Sequence, residues 1–222
     1  GPADGCDAPG RGITVCSEND DALAALTDRT VDVLGGTAWM WAREEFAGAV
    51  DVLVVDEAGQ FSLANALAVS PAASSLVLLG DPQQLNQPQK GSHPDGVDVS
   101  ALQHVLGPGV TTMPDGLGLF LPDTWRLAPG VCAFTSELFY QGRLRPADGR
   151  ELQALAGAGG LDGAGLWWVP VPHEANRNWS AEEIDAVDAL VDRLLVPGAR
   201  WVDHTGVSHA MTAADILVVA PY

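Results

Sequence analysis

Val50-Asp51-Val52-Leu53-Val54-Val55-Asp56-Glu57-Ala58-Gly59-Gln60 is a valine-rich apolar run that stops at two adjacent carboxylates. Short apolar runs of this kind read as strands buried on both faces, as in a parallel sheet covered by helices. Ligands of open α/β sheets lie outside the carboxyl ends of the strands, so Asp56 and Glu57 are expected to project into a cleft. Adjacent side chains at a strand end diverge. One carboxylate can then hold Mg²⁺ through water while the other takes a proton from an attacking water. A surface Asp-Glu pair at a helix start would give the same letters.

The next apolar run, 76–79, ends at Gly80-Asp81-Pro82-Gln83-Gln84-Leu85, with Asp81 standing 25 residues after Asp56. If that strand lies beside the first, Gln84 reaches the same cleft, where an uncharged amide can orient water or sense a terminal phosphate. The plainer reading gives Asp81 the cap of a helix whose first residue is Pro82.

Outward from these runs the chain alternates. Strands are expected at 13–16, 31–34, 166–171 and 216–220, and helices at 20–26, 63–69, 101–106, 129–140 and 181–195. The last helix carries Ser180 as N-cap and Glu183 as the third residue of a capping box. A Gly/Pro-rich stretch at 107–122 reads as the crossing between two units, 1–121 and 122–222, and the glycines of 157–165 read as a flexible loop. Such βα alternation predicts an α/β fold.

The 222 residues carry a net charge of −18 and a pI near 4.3, yet 47% are hydrophobic and the mean hydropathy is +0.11. Disordered acidic chains lack those apolar residues. The charge argues against a protein that grips phosphate over its whole surface, but leaves a local site open. From 124 to 150 four arginines face two acids. Arg143 and Arg145 could there touch a phosphate backbone, although solvated or helix-dipole arginines are the plainer reading. Trp167-Trp168 fits a strand with one ring in the core and one at the surface, a base-stacking platform being the weaker alternative. Cys6, Cys16 and Cys132 show no paired spacing, so neither a disulfide framework nor a zinc site is expected, and a reducing, cytoplasmic compartment is. No membrane span or signal peptide is legible.

DEAGQ followed by GDPQQL resembles motifs II and III of superfamily-1 helicases, in the branch of the nonsense-mediated-decay RNA helicase and the helicase-nuclease fusion proteins. Gly35-Gly36-Thr37-Ala38-Trp39 resembles the segment before motif II that lies against the nucleic-acid backbone. Asp123-Thr124-Trp125-Arg126-Leu127, followed by Phe139-Tyr140-Gln141-Gly142-Arg143-Leu144, resembles the opening of the second RecA-like lobe. Val218-Val219-Ala220-Pro221-Tyr222 is similar to the start of a later segment.

The resemblance implies a P-loop NTPase type of fold, with parts of two RecA-like lobes whose parallel sheets are flanked by helices. It implies an ATP-dependent helicase or translocase with ATP and Mg²⁺ as cofactors. Single-stranded nucleic acid is the implied partner, DNA favoured over RNA, and a fused nuclease domain is plausible. Asp56 would coordinate Mg²⁺ and Glu57 would be the general base. Gln60 and Gln84 would couple the γ-phosphate to the lobes, with Asp81 beside the nucleotide. Arg126 would be the arginine finger across the cleft, and Trp125 would pack near the base or in lobe-interface core. Gly36, Thr37 and Pro221 would touch the strand.

Two departures from the family stand out. Gly59 replaces the Ala or Ser common there, a mild variation that frees the backbone. No GxxxxGK[ST] phosphate loop occurs, and the sole lysine, Lys90, lies in NQPQKGSHPD. The chain is therefore expected to be the middle of a longer protein and inactive alone. The alternatives are a non-catalytic helicase-like scaffold that binds a partner, and, more weakly, a metal-dependent nuclease built on Asp56 and Glu57.

Overall fold

A computed structural model describes residues 12–84, 99–174 and 176–220. The expectations on Cys6, Lys90, Pro221 and Tyr222 fall outside them. The chain divides into two compact units, Gly1–Val110 and Thr111–Tyr222. It is a mixed α/β protein with small parallel sheets and helices.

The first unit holds α1 (Asn19–Thr27), α2 (Ala38–Trp41), β1 (Val50–Val55), α3 (Leu63–Val69), β2 (Ala73–Leu78) and α4 (Ala101–Leu106). Strands β1 and β2 pair in parallel with Val50 opposite Ala73 and Val55 opposite Leu78. Together with α3 they make one βαβ unit, the connection parallel strands require. Each helix start has a local cause. The Ser62 hydroxyl accepts from the Asn65 amide at 3.2 Å, and the Ser100 hydroxyl accepts from the Gln103 amide at 3.1 Å. The core lies on one side of the sheet, where Ala22, Met40, Trp41, Phe46, Leu53, Val69 and Ala72 cluster. Trp41 meets Phe46 edge-on at 5.5 Å. Burying the Phe46 ring contributes about 1.5–3 kcal/mol.

The two strands are not buried on both faces, as the apolar run suggested. Leu53 and Val55 are buried, whereas Val52 and Val54 are about half exposed, as are Val77 and Leu79 on the same face. Among the described residues the sheet has two strands, and Val52, Val54 and Val77 leave its second face open to solvent.

The second unit holds β3 (Asp123–Thr124), α5 (Pro129–Phe139), β4 (Arg145–Pro146), β5 (Ala154–Ala156), α6 (Ala181–Leu194), β6 (Arg200–Val202) and β7 (Ser208–Ala210). Strands β3 and β4 form a short parallel pair, and β5-β6-β7 an antiparallel sheet whose β6-β7 hairpin the sequence reading missed. At α6 the Ser180 hydroxyl accepts from the Glu183 amide at 3.2 Å. The expected box stays half formed, because the side chain that returns to Ser180 is Glu182, at 3.1 Å, while Glu183 faces His173. The loop at 157–165 is pinned: the Arg193 guanidinium donates to the Gly159 carbonyl, and Leu155 bridges to Gly163.

The expected strands at 13–16, 31–34, 166–171 and 216–220 are not strands. Among the described residues none of them has a ladder partner, and Val33, Trp168 and Leu217 are more than four-fifths exposed. A strand exists only through its neighbour's hydrogen bonds, which an apolar run cannot supply for itself. Among the described residues no helix is long and apolar enough to cross a membrane.

Candidate functional site

The carboxyl ends of β1 and β2 run into two loops that lock together through the backbone. The ladder continues beyond both strands, with the Leu79 amide donating to the Val55 carbonyl and the Ala58 amide donating to the Leu79 carbonyl, each at 2.8 Å. From the other side α4 closes the loop. The Ala101 amide donates to the Phe61 carbonyl at 2.7 Å and the Leu102 amide to the Ala58 carbonyl at 3.4 Å. Ala58 is fully buried, while Asp56, Glu57 and Gln60 on either side of it face solvent.

Two glycines make this possible. A Cβ on Gly80 would sit 2.7 Å from the Gly59 nitrogen and 2.8 Å from that of Ala58. A Cβ on Gly59 would overlap the Asp81 carbonyl oxygen. Gly59 is thus more than a mild variation: in this chain the second loop passes too close for any side chain there. That proximity brings together residues far apart in sequence. The Gln60 side-chain amide donates to the Gln84 amide oxygen at 3.3 Å.

Glu57 lies at φ +54°, the left-handed region that a glutamate enters at a cost of roughly 1–2 kcal/mol. The Asp56 carboxylate accepts from the Glu57 amide at 3.0 Å, and the Glu57 carbonyl accepts from the Gln60 amide at 2.8 Å, closing a tight turn. These bonds hold the strained residue in place and leave both carboxylates in solvent. Strain of this kind clusters at functional sites. Asp81 caps a turn rather than a helix: its carboxylate accepts from the Gln83 amide at 2.8 Å.

Asp56 and Glu57 therefore stand beside the Gln60–Gln84 link at one sheet end. Hard, exposed carboxylate oxygens with room for water suit Mg²⁺, which keeps several of its waters. Among the described residues no three His, Cys, Asp or Glu side chains converge on a point. Gly36 and Thr37 are exposed and precede the one-turn α2. No hydrogen bond among the described residues ties either of them to the Asp56 loop.

In the second unit Trp125 and Arg126 follow β3 directly, and both are exposed. A residue to which the sequence reading gave no role, Arg150, lies beside Trp125, and the two arginines it did single out are both engaged. The Arg150 guanidinium lies 5.7 Å from the centre of the Trp125 ring. Arg145 pairs with Asp123 and holds that carboxyl below the usual carboxylate range. Arg143 stacks on Phe120 at 4.5 Å and donates to the Met113 carbonyl at 3.1 Å, so it is more engaged than a solvated arginine. Trp167 and Trp168 are both exposed, so neither ring is in the core. No protein-family model, no curated protein and no solved structure matches the chain.

Proposed function

We propose that the chain is the catalytic middle of an ATP-dependent superfamily-1 helicase or translocase, acting on single-stranded nucleic acid and on DNA in preference to RNA. The observation that carries this reading is the paired loop at the carboxyl ends of β1 and β2. Asp56 and Glu57 open it, and the Gln60–Gln84 hydrogen bond closes it. The order of the motifs along the sequence supports it independently.

On this reading Asp56 would hold Mg²⁺, and the ion would neutralise phosphate charge when bound. Glu57 accepts the proton of the water that attacks the γ-phosphate. The left-handed backbone at Glu57 and the exposure of both side chains leave the two carboxylates free for separate roles. Gln84, tied to Gln60, orients that water and reports the state of the phosphate to the loop. Arg126 takes the arginine-finger role, where loss costs on the order of 10³ or more in rate. RecA-like lobes and a P-loop NTPase fold belong to the same proposal. No phosphate-loop motif occurs in these 222 residues, so the chain alone is expected to show no useful turnover.

The decisive measurement is ATP turnover by the longer protein that carries this chain, with and without a tailed single-stranded DNA or RNA. Glu57→Gln should abolish hydrolysis while sparing ATP binding. Turnover retained in that variant, or strong Mg²⁺-dependent ATPase from the 222 residues alone, would overturn the reading.

A further inference from the structure

Arg150 is an unusual cation. It is 8% exposed, its Nε is sealed from solvent without an acceptor, and no carboxylate pairs with it among the described residues. A buried charge without an ion pair is costly, and what faces this one is an aromatic ring. The Trp125 indole lies 5.7 Å from the guanidinium carbon, within cation–π range, an attraction that strengthens when the cation is desolvated. Trp125 as a residue is 70% exposed, so its side chain offers surface to solvent while the buried Arg150 engages the ring.

The backbone sets this pair up in advance. Parallel pairing places Thr124 opposite Pro146, and the Ala147 amide donates to the Thr124 carbonyl at 2.9 Å, which carries the chain after β4 alongside Trp125. Gly149, at φ +86°, then turns where a Cβ would overlap the His204 carbonyl oxygen, and Arg150 begins a single 3-10 turn, Arg150–Leu152. A flat exposed ring fixed on a buried cation, with the exposed Arg126 next in the chain, suits a ligand that is planar and aromatic at one end and anionic at the other.

We propose that Arg150 is a positioning residue that fixes the Trp125 indole as a preformed stacking surface for the base of a nucleotide. This rests on the reading of the chain as nucleotide-binding and adds to it a residue that the motifs do not mark. Base–aromatic stacking tolerates any base, so the surface selects for a planar ring and leaves the phosphates to Arg126.

The test uses the whole 222-residue chain labelled with 5-fluorotryptophan, with Trp125→Leu assigning the Trp125 fluorine resonance. MgATP should shift that resonance and inorganic tripolyphosphate should not. Arg150→Met and Trp125→Leu should each weaken ATP binding by about 3- to 10-fold, and the double variant should lose no more than either single one. Arg150→Lys should lose less. Should Arg150→Met fail to fold by circular dichroism, the same cycle is read on Arg150→Lys.

Equal ATP affinity in Arg150→Met and wild type, or additive losses in the double variant, would remove Arg150 as the positioning residue and leave the nucleotide reading intact. No ATP-dependent change at Trp125 up to millimolar ATP would overturn the stacking surface itself. The reading of Asp56 and Glu57 fails on different grounds, through the Glu57→Gln turnover measurement.

Discussion

Gly59 shows how little room the candidate site leaves at the level of one atom. Its missing Cβ is the space through which the Asp81 carbonyl passes, and the obstruction is backbone rather than a movable side chain. Gly59→Ala should therefore separate the two loops and cost about 1–3 kcal/mol, the range for overpacking. Chemical denaturation of the 222-residue chain measures the loss, and an unchanged midpoint would show that the loops do not meet this closely. The Gln60–Gln84 hydrogen bond should go with it, since its partners meet only because the loops do. Glu57 sits under a related constraint, strained at φ +54° in the tight turn that its carbonyl and the Gln60 amide close.

Among the elements, the β6-β7 hairpin is organised by one carboxylate. Asp203 accepts from the Thr205 hydroxyl at 2.6 Å, from the Thr205 and Val207 amides at 2.8 and 3.0 Å, and meets His209 at 2.8 Å. The Thr205 hydroxyl, then His209, then the two amides hold its carboxyl far below the usual range. A carboxyl with a depressed folded value contributes stability that is fully present above its unfolded value and is lost as the pH falls through the folded one. The hairpin should hence loosen only in acid below the ordinary aspartate range, and Asp203→Asn should remove that dependence. His209 stacks on Trp201 at 4.4 Å, so near-ultraviolet circular dichroism against pH reads the event. An identical acid response in the variant would dismiss Asp203 as its source.

The elements also show which sequence signals were sufficient. Helices α3 and α4 and strand β1 begin and end where the apolar pattern placed them, because that signal is local, and the structure adds the Ser62 and Ser100 caps that start the two helices. The runs at 13–16, 31–34, 166–171 and 216–220 carried the same apolar letters and formed no strand, because pairing depends on a distant partner. The hairpin was missed for the opposite reason. Its strands are three residues each, and its turn is fixed by the Asp203 side chain, a signal that five letters of Asp-His-Thr-Gly-Val only hint at.

For the molecule as a whole, −18 charges on 222 residues repel one another in any compact state. Screening that repulsion should stabilise the chain, so its melting temperature should rise by several degrees from low to moderate sodium chloride. A flat or falling melting temperature would mean that the acids are already paired or too dispersed to matter. The sequence by itself determined the acidic composition, the mixed α/β class and the spacing that puts carboxylates after one apolar run and glutamines after the next, since composition and short-range pattern suffice for these. Only the tertiary structure decided that Gly59 and Gly80 must both be glycine, that Glu57 is strained, and that Arg150 lies behind Trp125. The glycine pair and the Arg150–Trp125 pair depend on atoms from distant parts of the chain meeting within a few ångströms, and the Glu57 angle on a turn whose bonds the letters do not spell out, so no local pattern encodes them.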